Sequence, residues 1–230
     1  MKTIGLIGGM SWESSALYYA AINRGVRDRL GGSASARIVM DSCNFAEVER
    51  LQHAGDWNRL GDMLAATARR LQDAGADLML LCTNTVHRLA PEIEAAIDVP
   101  LLHIADPLGE AIQTSGLTDV GLLGTAFTME QSFLTDRLRE KHGIACLVPD
   151  TQDRAVVHRV IYEELIAGET KRESRDAYLA IVDRLAAMGA QGVVLGCTEI
   201  GLLLQQGDGP LPLFDTAALH AAAAVDAALA

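Results

Sequence analysis

Three blocks of this sequence occur twice, in the same order and at nearly the same spacing. Thr3–Gly9 (TIGLIGG) matches Asp119–Thr125 (DVGLLGT) at an offset of 116. Gly75–Thr85 (GADLMLLCTNT) matches Gly189–Glu199 (GAQGVVLGCTE) at 114, and Val99–Asp106 (VPLLHIAD) matches Leu211–Ala218 (LPLFDTAA) at 112. One short match is chance, but three in register point to a duplication. The 230 residues then divide into two halves that must fold alike. We place them at 1–107 and 108–230, with room for the C-terminal helix to pack back on the first.

Each half alternates short apolar runs with longer amphipathic stretches. The runs are Ile4–Ile7, Arg37–Met40, Leu78–Leu81, Leu101–Ile104, Val120–Leu123 and Val193–Leu195. They are nearly continuous in apolar residues, as parallel strands covered on both faces are. Trp57–Ala74 carries Leu60, Met63, Leu64, Thr67 and Leu71 at helical spacing, with Asp56 to cap its start and Gly75 to close it. Arg175–Met188 repeats this form, with Tyr178, Ile181, Leu185 and Met188 inward and Gly189 at the stop. The expected fold class is α/β: two pseudo-symmetric halves with parallel-type sheets flanked by helices, and an active site in the cleft between them.

Composition removes several functions. There are 19 Lys and Arg against 30 Asp and Glu, a formal charge of −11, which opposes nucleic acid or an anionic membrane as a partner. Aromatic residues make up only 4%, so Ala, Leu, Val and Ile must build the core. No apolar run approaches the ~20 residues of a membrane helix, and the Ala-rich tail is broken by His220 and Asp226. The start, MKTIGLIGGMSW, reads as a first strand and not as a signal peptide. Cys43, Cys82, Cys146 and Cys197 form no CxxC and no metal-type spacing. Reduced thiols in a cytoplasmic protein are expected.

Ligands of open parallel sheets bind beyond the carboxyl ends of the strands. There this sequence places Gly8-Gly9-Met10-Ser11, Thr83-Asn84-Thr85, Gly124-Thr125 and Cys197-Thr198-Glu199. The offset of 114 makes Thr83 and Cys197 equivalent, and two facing halves would direct them at one cleft from opposite sides. The glycines of Gly5–Gly9 have the wrong spacing for a dinucleotide loop. They suit a tight turn that approaches a small ligand or the next helix, or amides that hold a carboxylate. A Cys197 thiol could be lowered in pKa by backbone amides at a helix start, an effect Glu199 opposes if unpaired. The alternative is an inert buried cysteine. Strand alternation turns Cys82 away from the face of Thr83 and into the core. His87 reads as a capping or surface histidine, and Cys43 and Cys146 as packing residues.

GLIGGMSWES (5–14), CTNTVH (82–87), LLGTAFTMEQ (122–131), IYEELIAGE (161–169) and GCTEIGLL (196–203) together resemble the aspartate/glutamate racemase family, most of all its broad-specificity amino-acid racemase branch. The resemblance implies a cofactor-independent enzyme, often a homodimer. In it two cysteines flank the substrate Cα; one removes the α-proton and the other delivers a proton to the opposite face. This chain departs from that pattern: Thr83 stands where the family's first cysteine does, and Cys197 matches the second. The resemblance implies that the second-half cysteine works on the L-enantiomer, and a hydroxyl can give a proton but is a poor base; the expected pair is a Cys197 thiolate that deprotonates an L-amino acid and a Thr83 that reprotonates it. The expected substrate shell is Met10, Ser11, Gln52, Asn84, Thr85, Thr125, Thr198 and Glu199.

Acid-specific members carry basic residues where this chain has Glu47 and Ile166, with Arg50 close by. Neutral or hydroxylated amino acids such as homoserine therefore stand beside aspartate and glutamate. The rival readings are a related cysteine-dependent enzyme (hydantoin racemase, maleate isomerase or arylmalonate decarboxylase) or a non-catalytic amino-acid-binding protein. No metal, pyridoxal phosphate, flavin or nucleotide is expected.

Overall fold

A computed structural model describes all of residues 1–230, in two compact units. The first comprises Met1–Ile104 and His220–Ala230, and the second Ala105–Leu219. The first runs β1 (Ile4–Gly8), α1 (Trp12–Leu30), β2 (Ile38–Ser42), α2 (Phe45–His53), α3 (Trp57–Asp73), β3 (Leu78–Leu81), a 3-10 turn (Thr85–Leu89), α4 (Ala90–Glu94) and β4 (Leu101–Leu102). The chain continues with α5 (Ala105–Thr114), β5 (Asp119–Gly124), α6 (Ala126–Glu130), α7 (Phe133–His142), β6 (Ala145–Leu147) and α8 (Thr151–Glu163). After a short 3-10 turn come α9 (Arg172–Ala187), β7 (Gly192–Gly196), α10 (Ile200–Leu203), β8 (Leu213–Asp215) and α11 (Thr216–Leu229).

The two sheets have the same plan. Their strand orders are β2-β1-β3-β4 and β6-β5-β7-β8, and every pairing is parallel. The register repeats as well. Ile4 pairs with Leu78 and Val120 with Gly192, which are the same two positions displaced by 116 and 114. Met79 pairs with Leu101 and Val193 with Leu213, displaced by 114 and 112. The sequence offsets are thus hydrogen-bond registers, which a chance resemblance would not reproduce.

The central strands explain their sequences. β1, β3 and β7 are buried at every residue, because helices cover both faces. In the first unit Leu60, Leu64, Ala68 and Leu71 of α3 pack with Ile7, Met79 and Leu81. Each such Leu or Ile contributes about 1.5–3 kcal/mol by leaving water. Asp56 caps α3 by accepting from Arg59 N–H at 3.2 Å, and Gly75 leaves it at φ +92°. α9 buries Tyr178, Ile181 and Leu185 as its spacing requires, but Met188 is 55% exposed. Met188 sits beyond the last helical turn, as the C-cap, where the helical stripe no longer governs it. β4 ends at Leu102, two residues short of the expected Ile104, as the chain turns into α5. β6 and β8 were not expected as strands. No helix is long and apolar enough to cross a membrane.

Candidate functional site

The glycines after β1 serve the fold first. Gly9 has φ +84°, and a Cβ there would lie 2.2 Å from the Cys43 carbonyl oxygen. Its close approach is to the chain leaving β2, not to the next helix. Gly9 N–H donates to Ser15 Oγ (2.8 Å), and Ser15 Oγ–H donates to the Ser11 carbonyl (3.0 Å). Ser11 caps α1 by accepting from Ser14 N–H at 3.2 Å. Met10 joins the hydrophobic cluster of Ile7 and Val48. Ser14 Oγ–H donates to the Cys82 carbonyl at 2.8 Å, which ties the first turn of α1 to the end of β3. Gln52 is buried in the last turn of α2.

Cys82 and Thr83 differ as strand alternation requires. Cys82 N–H donates to the Ile7 carbonyl at 3.0 Å, so the ladder extends through it, and its side chain is 0% exposed. Burial pushes its thiol far above the usual range. Its counterpart in the second unit is Gly196, where a Cβ would meet Leu122 Cδ1 and the Leu123 carbonyl at 2.9 Å. Thr83 comes next and is half-buried, between buried neighbours Cys82 and Asn84. Asn84 and Thr85 are buried at the start of the 3-10 turn.

In the second unit Cys197 follows β7, half-buried between buried Gly196 and Thr198. Its Sγ–H donates to Glu199 Oε2 at 3.0 Å, and Thr198 Oγ1–H donates to the same oxygen at 2.6 Å. Burial, followed by the Glu199 carboxylate, pushes the Cys197 thiol well above its ordinary value. The Glu199 backbone N–H pulls the other way and loses. Of the two opposing influences read from the sequence, the carboxylate prevails over the backbone amide: α10 is one turn long, and the adjacent group that dominates is an anion. Thr125 caps α6 by accepting from Thr128 N–H at 3.3 Å, and Ala126 N–H donates to His158 Nδ1 at 3.2 Å. Burial raises the Cys146 thiol to about 12 and also raises that of Cys43, and both side chains are partly buried.

His87 is neither a cap nor a surface residue. It is 1% exposed and lies in a cluster with His103, His220 and Tyr18 that sequence reading missed. The available signal was His220, which with Asp226 interrupts an Ala-rich helix. No three His, Cys, Asp or Glu side chains converge as metal ligands would.

A sequence profile described as Asp/Glu/Hydantoin racemase matches residues 7–224. The chain belongs to this racemase family. A putative Asp/Glu racemase from Yersinia pestis is 50% identical, covers 100% of both chains and superposes with a TM-score of 0.94. An aspartate racemase homologue from Pyrococcus horikoshii OT3 is 31% identical over 100% of both chains, with a TM-score of 0.88. The broad specificity amino-acid racemase RacX of Bacillus subtilis is 26% identical over 166 residues, 71% of this chain and 70% of that protein. The racemase family's two-sheet architecture is therefore the architecture found here.

Proposed function

We propose that the chain is a cofactor-independent amino-acid racemase in which Thr83 and Cys197 are the acid–base pair at the substrate Cα. The observation that carries the reading is the equivalence of the two residues. Each is the half-buried residue beyond the equivalent strand of its sheet, in matching register, and one is a thiol bonded to a carboxylate.

The resting thiol shapes the reaction. Cys197 passes its proton to Glu199, leaving a thiolate and a carboxylic acid. The thiolate takes the α-proton of an L-amino acid, and the electron pair of the broken C–H bond delocalises into the substrate carboxylate. Thr83 gives its hydroxyl proton to the other face of Cα and water returns a proton to Thr83; the proton held on Glu199 then neutralises the hydroxide so formed, which restores the resting carboxylate. In reverse, the hydroxyl must act as a base, which is the slow direction for a threonine. Enantiomers have equal free energy, so kcat/KM is equal in both directions, and asymmetry shows only in kcat and KM separately. The names of the relatives support aspartate or glutamate as substrate. The exposed Glu47 and Arg50 of α2 leave homoserine in the panel. The same reading takes the enzyme as a cytoplasmic homodimer whose small-molecule substrate is bound by Met10, Ser11, Gln52, Asn84, Thr85, Thr125 and Thr198.

The test is α-proton exchange in D2O with L- and D-aspartate, glutamate and homoserine, followed by NMR and chiral chromatography. Wild type should exchange and invert. Cys197→Ala should abolish both for the L-enantiomer, and Thr83→Ala should retain exchange but lose inversion. Inversion that survives Thr83→Ala and disappears in Cys82→Ala would overturn the pair. A loss of mass as CO2 would mark a decarboxylase, and binding without exchange an amino-acid-binding protein.

A further inference from the structure

The buried histidines near Thr83 make hydrogen bonds whose polarity can be read from backbone groups that have one role only. His87 Nδ1 lies 2.7 Å from the Thr83 carbonyl oxygen. A carbonyl only accepts, so Nδ1 carries a hydrogen. The Ile104 backbone N–H points at His87 Nε2 from 3.2 Å. A backbone N–H only donates, so Nε2 presents a lone pair. One tautomer satisfies both, the neutral Nδ1–H imidazole. A second proton on Nε2 would set donor against donor.

A second set of hydrogen bonds lies beside it. His220 Nε2 lies 2.8 Å from the Leu102 carbonyl and donates to it, while its Nδ1 meets Tyr18 Oη at 2.9 Å. The His87 ring stands edge-on to His103 at 4.7 Å and to His220 at 5.7 Å. All four side chains are buried. Tyr18 is on α1, His220 on α11, and Leu102 and Ile104 lie at the end of β4 and just past it. The Thr83 carbonyl is therefore tied through one imidazole to the neighbouring strand's end, and the His220 ring edge-on to that imidazole lies on α11 and is bonded to Tyr18 of α1.

We propose that His87 is a positioning residue, locked as the neutral Nδ1–H tautomer, that holds the Thr83 backbone so that the hydroxyl is aimed for proton delivery. The proposal rests on the racemase reading above. Fixing a residue's carbonyl restricts its ψ, and with it the direction of its Cα–Cβ bond. Half-buried Thr83 has no regular structure of its own to do this: it lies between the end of β3 and the 3-10 turn. The lock acts on Thr83 and leaves the Cys197 chemistry to Cys197, so the two half-reactions should part company.

The experiment measures inversion and α-proton exchange with retention, on the same L-substrate in D2O, for wild type, His87→Ala and His87→Asn. An asparagine amide sits near the imidazole Nδ1 position and can donate to the Thr83 carbonyl. The ratio of inversion to exchange should fall about tenfold or more in His87→Ala, as misplacement of a reacting group does. It should recover in His87→Asn. Long-range 1H–15N correlation on the wild-type enzyme should show His87 protonated at Nδ1 and bare at Nε2 at neutral pH. Equal losses of inversion and exchange in His87→Ala, no recovery with asparagine, or an Nε2–H or doubly protonated ring would each overturn the proposal. A wild type that neither exchanges nor inverts any substrate overturns the racemase reading itself, and the positioning role falls with it whatever the NMR shows.

Discussion

Cys197 holds its proton because two effects outweigh a third. Burial removes water that would stabilise a thiolate, and the Glu199 carboxylate repels one while accepting the thiol hydrogen. The opposing backbone N–H of Glu199 is a single dipole. Replacing the carboxylate by an isosteric amide removes the repulsion and leaves the shape. Glu199→Gln should therefore lower the thiol pKa and raise the rate of Cys197 alkylation by iodoacetamide at pH 8, about tenfold for each unit recovered. Racemisation of the L-substrate should fall in the same variant, since the acceptor of the thiol proton is gone. Peptide mass spectrometry, with Cys197→Ala as the blank, reads the alkylation. An unchanged rate would mean that burial alone holds the thiol up.

At the scale of elements, the loops carry the constraints and the helices follow their patterns. Gly9 shows how tightly the first loop is set: positive φ, and backbone of Cys43 where a Cβ would be. No side-chain movement relieves that overlap. Gly9→Ala should cost about 3 kcal/mol or more by urea denaturation. Gly31→Ala is the control, with φ +78° but nothing within 4 Å of the added Cβ, and should cost only about 1–2 kcal/mol. Equal losses would place the whole cost in the dihedral. The same scale shows what the sequence made legible. α3 and the central strands were legible because buried faces impose periodicity, and the residues just past β3 and β7 because the repeat pairs them. β6, with three residues and an edge position, is too short for any period to show. β8 is as short, yet Leu211–Ala218 already matched the β4 block, so the offset held information that the local pattern lacked. His87 could not be read: its acceptor interaction comes from Ile104, 17 residues on, and only the β3–β4 register brings the two together. Of the influences on Cys197, the opposing Glu199 was legible from adjacency in the sequence, whereas the burial that leads the upward shift was not.

For the molecule as a whole, duplication has a thermodynamic consequence. Each unit is small and apolar-cored, and each carries two cysteines. In the first unit Cys82 at the end of β3 is fully buried and Cys43 past β2 partly so; in the second Cys146 on β6 and Cys197 past β7 are partly buried, and all four are free thiols. All four are pushed above the ordinary thiol value of 9.0, with burial the first cause in each. A group whose folded pKa exceeds its unfolded pKa gives its full stabilisation below the unfolded value. It loses that stabilisation as pH climbs toward the folded one, because the unfolded chain then sheds protons that the native chain keeps. Each thiol can thus cost up to about 1.4 kcal/mol per pH unit above the unfolded pKa. Stability measured by urea denaturation under reducing conditions should be level from pH 7 to 8 and fall steeply by pH 10. Self-repulsion of a chain with net charge −11 would also grow with pH, so the slope alone does not identify its source. Cys82→Ala and Cys146→Ala separate the two. Each lowers stability at pH 7 through lost packing, but each removes one titrating thiol and should flatten the fall above pH 9. If the alkaline slope is the same in both variants as in wild type, the buried thiols do not set it and the chain's net charge does.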